Sequence, residues 1–111
     1  MHPKVIESLE DILTHSQYII DDTTGMTYEQ FLENRTVRQA VERNLEVIGI
    51  AAVRIRDTDP DFYDDFESLR PAVAVRNRLA HGYDDDIDHW TLWGIIGSSL
   101  PTLMEQVGQQ L

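Results

Sequence analysis

Apolar side chains recur every three or four positions from Pro3 onward, with Val5, Leu9, Ile12 and Ile19 on one stripe, Ser16 in step with them, and Glu7, Glu10 and Asp11 between. That period predicts an amphipathic helix, ended by the polar run Asp21-Asp22-Thr23-Thr24-Gly25. Thr27 with Gln30 three residues on has the form of a capping box and predicts a short helical turn through Tyr28, Phe31 and Leu32. A long helix follows from about Thr36 to Arg56, with Val37, Val41, Leu45, Ile48, Ala52 and Ile55 on its main stripe. Ala40, Val47, Ile50 and Val53 lie off that stripe, so this helix has apolar surface on more than one side. A helix of that kind either sits centrally in a monomer or packs both against its own bundle and against a second copy; a homodimer is the reading taken here.

Thr58-Asp59-Pro60 marks a break, and the polar and aromatic segment from Asp61 to Leu69 reads as partly helical. Pro71 stands where a helix can begin, predicting one from Pro71 to His81 with Gly82 as its C′ terminator. The acidic stretch Asp84-Asp85-Asp86-Ile87-Asp88 offers N-caps for a final helix carrying Trp93, Ile96, Leu100, Leu103, Val107 and Leu111. Pro101 lies inside that helix and removes a hydrogen bond, so a bend is expected there. No strand pattern competes, and no repeat or linker divides the chain. The expected fold is all-α: residues 1–111 form a single domain, an up-and-down bundle of four to five helices.

Charge narrows the choice of partners. The 111 residues carry 20 acidic and nine basic side chains, a formal charge of −11, and eight of the nine basic residues are arginine. Such a surface opposes nucleic acid over most of its area, so any RNA site must be local, and no DNA partner is expected. With no cysteine, disulfides, thiolate metal sites and cysteine nucleophiles are excluded. No apolar run approaches the length of a membrane span, and the first residues lead straight into the amphipathic pattern, so a cytoplasmic protein without a membrane partner is expected.

Most enzyme signatures are absent. There is no P-loop and no His-Glu-x-x-His, and Gly97-Ser98-Ser99 lacks the flanking glycine of a nucleophile elbow. The acidic run would need glycine and glutamate where a calcium loop beginning at Asp84 has His89 and Ile95, so it reads as a solvated cap. His2 and His15 have no partners at ligand spacing and read as surface residues, and His89, in the first turn of the last helix, reads as structural. Nothing in the pattern asks for a metal or other cofactor.

The segment Val75-Arg76-Asn77-Arg78-Leu79-Ala80-His81-Gly82-Tyr83, followed by Ile87-Asp88, resembles the R-x4–6-H signature of HEPN domains, in the R-x4-H-x-Y form of HepT-type toxins. Phe31 to Ala52, with Thr36, Ala40-Val41, Asn44-Leu45 and Ile48-Gly49, is similar to the segment preceding the motif in that family, and Trp93 to Leu103 with Pro101 resembles its closing helix. The likeness therefore covers nearly the whole chain. One departure is Ile50, where relatives commonly carry an acidic residue that could orient the arginine or a partner surface.

The motif's residue types suit RNA cleavage without metal. An imidazole titrating near neutrality can take the 2′-hydroxyl proton and protonate the leaving oxygen, which assigns His81 as acid and base. A planar guanidinium can hold two phosphate oxygens while charge builds on them, which assigns Arg76 as the clamp on the transition state. At about 100° per residue, positions 76 and 81 point roughly 140° apart on one helix. Either the chain breaks at Gly82 and lets His81 swing, or two copies of the segment face each other across a dimer; the resemblance favours the second. A shared cleft would also gather Arg76 and Arg78 from both chains into a local basic patch. Asn77 would position a phosphate or cap the helix.

Tyr83 has an ordinary reading as a packing aromatic. The resemblance implies that it accepts AMP from a minimal nucleotidyltransferase antitoxin of a type VII toxin–antitoxin system, adding phosphates that occupy the arginines and block the cleft. The leading expectation is thus an endoribonuclease toxin with RNA as substrate and the nucleotidyltransferase as partner. The alternatives are a non-catalytic HEPN module that binds a nucleotide or a nucleotidyltransferase, and a purely structural helical dimer.

Overall fold

The computed structural model describes residues 1–81, position 81 by its backbone alone, and residues 87–111. Seven α-helices and one π-turn lie among the described residues: α1 (Pro3–Thr23), α2 (Tyr28–Glu33), α3 (Arg35–Thr58), α4 (Pro60–Asp65), α5 (Leu69–His81), α6 (His89–Gly94), the π-turn (Ile95–Ser99) and α7 (Leu100–Gln110). Four rods make the bundle: α1, α3, α5, and the continuous α6–π-turn–α7 segment. The helices α2 and α4, of six residues each, join them. The all-α bundle expected from the periodicity is therefore the fold observed. At about 1.5 Å per residue, the 24 residues of α3 account for most of the 42 Å long axis.

Local chemistry fixes each boundary. His2 Nδ1 accepts from Lys4 N at 3.0 Å and caps α1, so this exposed histidine has a structural task. Gly25 adopts φ +82°, the left-handed conformation that reverses the chain after α1. The Thr27–Gln30 capping box is present in both directions, at 3.1 and 2.9 Å. Asn34 caps α3 through Val37 N at 3.0 Å, moving its start one residue ahead of the expected Thr36. Asp59 caps α4 by accepting from Phe62 N. Helix α5 starts at Leu69, ahead of the expected Pro71, which sits within its first turn, where a missing N–H costs nothing.

The disturbance expected at Pro101 takes the form of a π-turn just before it. Lacking an N–H, and with a ring that crowds the carbonyl four residues back, the proline is accommodated by widening of the preceding turn at Ile95–Ser99. The rod continues, and Leu100, Leu103 and Val107 stay on its buried side. Leu111, expected on that stripe, lies beyond the helix and is exposed.

Helix α3 is central, with α1 packed on one side and α5 on the other, while α7 also packs on α1. Val41, Leu45, Ile48, Ala52 and Ile55 are buried as the pattern anticipated, facing Val5, Leu9, Ile12 and Ile19 of α1 in one core. Ser8 and Ser16 of α1 are also fully buried, and their hydroxyls make no hydrogen bond among the described residues. His15 corrects the surface reading: it is half-buried, its Nδ1 lies 2.8 Å from Asn44 Oδ1, and its ring meets Tyr18 edge-on. Because Asn44 Nδ2 donates to Ala40 O, the amide oxygen is the acceptor and His15 Nδ1 carries the proton. That pair ties α1 to α3.

Candidate active site

The motif from Val75 to His81 lies on α5, which is held to the bundle chiefly by α3. Leu69 and Val73 are buried, Ala72 and Val75 pack partly against the core, and Asn77 and Arg78 are exposed. Arg76 is half-buried, and its stem lies on Gly49 of α3. A Cβ added at Gly49 would stand 2.0 Å from Arg76 Cβ, 2.7 Å from its Cγ and 2.9 Å from the Ala72 carbonyl oxygen. Glycine here is a requirement of close approach, and the two helices touch at the motif arginine.

Seating the stem on Gly49 directs the guanidinium outward along α5, where Arg76 Nη1 donates to Asn77 Oδ1 at 3.2 Å. Among the described residues no carboxylate pairs with Arg76, although Arg43, Arg54, Arg56 and Arg70 all do have such partners. In a chain of charge −11, an arginine left with one neutral neighbour keeps most of its donors for another anion. Asn77 sits well inside the helix, so it does not cap it; its oxygen orients the arginine.

The backbone is helical through His81. The angular separation of positions 76 and 81 is therefore that of an unbroken helix, about 140° around the axis. The roles expected of the His81 imidazole, of Gly82 as terminator and of Tyr83 as AMP acceptor concern groups outside the described residues, as do Asp84 to Asp86. Asp88 is described: it caps α6, accepting from Thr91 N at 2.7 Å. That backbone hydrogen bond is the main reason its carboxyl lies below the usual carboxylate range, with a smaller contribution from the charge of Arg78. The cap's stabilisation is present above the ordinary carboxylate value and is lost as pH falls through the lowered one.

Ile50 is 46% exposed and lines a surface hollow with Lys4, Val53, Arg54 and Asp57. Position 50 is thus exposed and apart from the residues that meet Gly49, and an acidic side chain there would share the hollow with two cations and one carboxylate. Beside α5, between it and the π-turn, runs an apolar groove lined by Leu45, Ile48, Ala72, Val75, Ile95 and Leu100. His89 is exposed in the first turn of α6. Among the described residues no three His, Cys, Asp or Glu side chains gather into a metal site, and no helix is long and apolar enough to cross a membrane.

The role of Gly49 was not derivable from the motif. Its signal was a glycine inside a long helical pattern, a position that costs about 1 kcal/mol relative to alanine and asks for a packing reason.

Comparison with known proteins agrees with this architecture. The chain is 35% identical over 101 residues to a Methanocaldococcus jannaschii protein named as an RNase, the alignment covering 89% of each chain. A second RNase-named protein of that organism is 31% identical over 101 residues, 89% of this chain and 80% of its own. A Thermococcus cleftensis protein bearing the name ribonuclease HepT is 31% identical over 101 residues, 86% of this chain and 84% of its own. No solved structure gives a significant match. The model of the HepT-like ribonuclease family matches residues 5–109, which takes in every helix from α1 to α7, and the chain belongs to that family.

Proposed function

We propose that this chain is a metal-independent endoribonuclease, the toxin of a type VII toxin–antitoxin pair, acting as a dimer in which Arg76 and His81 of two copies line one cleft. The observation that carries this reading is the seating of Arg76 on Gly49, which leaves a guanidinium without a carboxylate partner among the described residues, five positions before the motif histidine in a ribonuclease-family chain. His81 takes the 2′-hydroxyl proton, the 2′-oxygen attacks phosphorus, and the bond to the 5′-oxygen breaks. A protonated imidazole returns a proton to that oxygen, leaving a 2′,3′-cyclic phosphate. Arg76 holds the non-bridging oxygens as charge builds on them, and Asn77 and Arg78 hold neighbouring phosphates.

The unbroken helix through His81 supports two copies, since one α5 separates the guanidinium and imidazole positions around its axis. The apolar groove beside α5 supplies a surface for the second copy to cover. Adenylylation of Tyr83 by a nucleotidyltransferase antitoxin would place phosphates beside Arg76 and silence the cleft.

Purified protein incubated with single-stranded RNA and a chelator tests the proposal. The intact chain is expected to cleave, and His81→Ala to lose cleavage while keeping the helical signal and native mass. Loss of cleavage on chelation, or an active His81→Ala protein, contradicts it. The charge of −11 favours a second reading, a non-catalytic module engaging the nucleotidyltransferase; its mark is a stable complex with that partner and no RNA product under any condition.

A further inference from the structure

Trp90 is the most exposed large hydrophobic side chain among the described residues, at 66%. It stands in the first turn of α6, whose other aromatic, Trp93, is turned inward against Phe31 at 5.1 Å. Tyr28 of α2 meets Trp90 edge-on, ring centres 4.9 Å apart, and also touches Trp93 at 6.2 Å. Trp90 is therefore braced from one side by a ring that is itself anchored in the bundle, and most of the indole stays open to solvent.

We propose that Trp90, braced by Tyr28, is a stacking ledge for an unpaired base of the RNA strand whose phosphates engage the α5 motif; this rests on the ribonuclease reading above. Its position argues for it. Ser68 at the foot of α5 bonds Gln106 of α7, Pro71 shares a groove with Ser99, and Val75 shares one with Ile95, so the two rods run antiparallel and α6 stands toward the end of α5 that carries Arg76 and Arg78. Charge decides which part of the nucleotide fits. Beside the Asp88 carboxylate a phosphate is repelled, whereas a base is uncharged and offers a π-face to any aromatic, as in single-strand recognition generally.

The ring against the indole is the half-buried Tyr28, and the chain neighbours His89 and Thr91 are exposed and polar, so the ledge offers one open aromatic face with hydrogen-bonding groups nearby in the chain.

Fluorescence anisotropy with a labelled, uncleavable 2′-O-methyl oligonucleotide tests the ledge, using an abasic strand of equal length as the reference. Trp90→Ala should weaken binding of the base-bearing strand about tenfold, Trp90→Phe should stay near the parent, and the abasic strand should bind all three proteins alike. Equal affinity of Trp90→Ala and parent for the base-bearing strand overturns the ledge, as does equal weakening toward both strands. A change in native mass on Trp90→Ala assigns the ring to a contact between protein chains and overturns it as well. Because binding is read without cleavage, a parent that binds with this base dependence but never cuts RNA sinks the ribonuclease reading and leaves the ledge standing.

Discussion

Replacing Gly49 with alanine is expected to lower stability and RNA cleavage together, while the same replacement at Gly108 raises stability. Helix propensity alone would favour alanine at both sites by up to about 1 kcal/mol. At Gly108, in α7, no atom of the described residues lies within 4 Å of the added methyl, so propensity decides the sign. At Gly49 the methyl would lie 2.0 Å from Arg76 Cβ and 2.9 Å from a backbone oxygen of α5. Neither atom is the loose end of a side chain, so the helix itself must move. Overpacking of this kind costs roughly 1–3 kcal/mol and outweighs the propensity gain. The movement also carries Arg76 away from its seat, and displacement of about 1 Å at a reacting group can cost on the order of 100-fold in rate. Urea denaturation and single-turnover cleavage of the two variants check both effects; a Gly49→Ala protein as stable and active as the parent would show that α3 and α5 do not depend on this contact.

Arg76→Lys separates the arginine's packing from its chemistry. The lysine stem still covers Gly49 and the charge is kept, so denaturation midpoints should stay within about 0.5 kcal/mol of the parent. What disappears is the planar fork that reaches two phosphate oxygens at once. On the proposed mechanism kcat falls about 100- to 1,000-fold, the scale for removing one donor from a preorganised anion site. Retained cleavage in Arg76→Lys would remove the guanidinium from the mechanism, since charge alone would then suffice.

How much of this could be read in advance differs from element to element. The main stripe of α3 and the Thr27–Gln30 box were legible because helical period and capping chemistry are local properties, and the core formed on those residues. Pro101 was legible as a disturbance but the widened turn before it was not, because how a helix accommodates a proline depends on what packs around it. His15 was misread as a surface residue: its partner Asn44 is 29 positions away, and a contact between two helices leaves no trace in spacing. The motif drew attention to α5, yet why Arg76 sits where it does comes from a glycine on another helix, and why Trp90 stands open comes from Tyr28 on a third. Those are tertiary facts, and one-dimensional pattern is silent on them.

The claim on which the rest depends is that the guanidinium and the imidazole serving one phosphate come from different copies of the chain. Mixing Arg76→Ala with His81→Ala, each inactive alone, measures this directly. Half of the reassociated dimers carry both variants and hold one complete site of two, so activity should return to about a quarter of the parent level. A mixture no more active than its components, despite demonstrated exchange of subunits, would contradict a shared site.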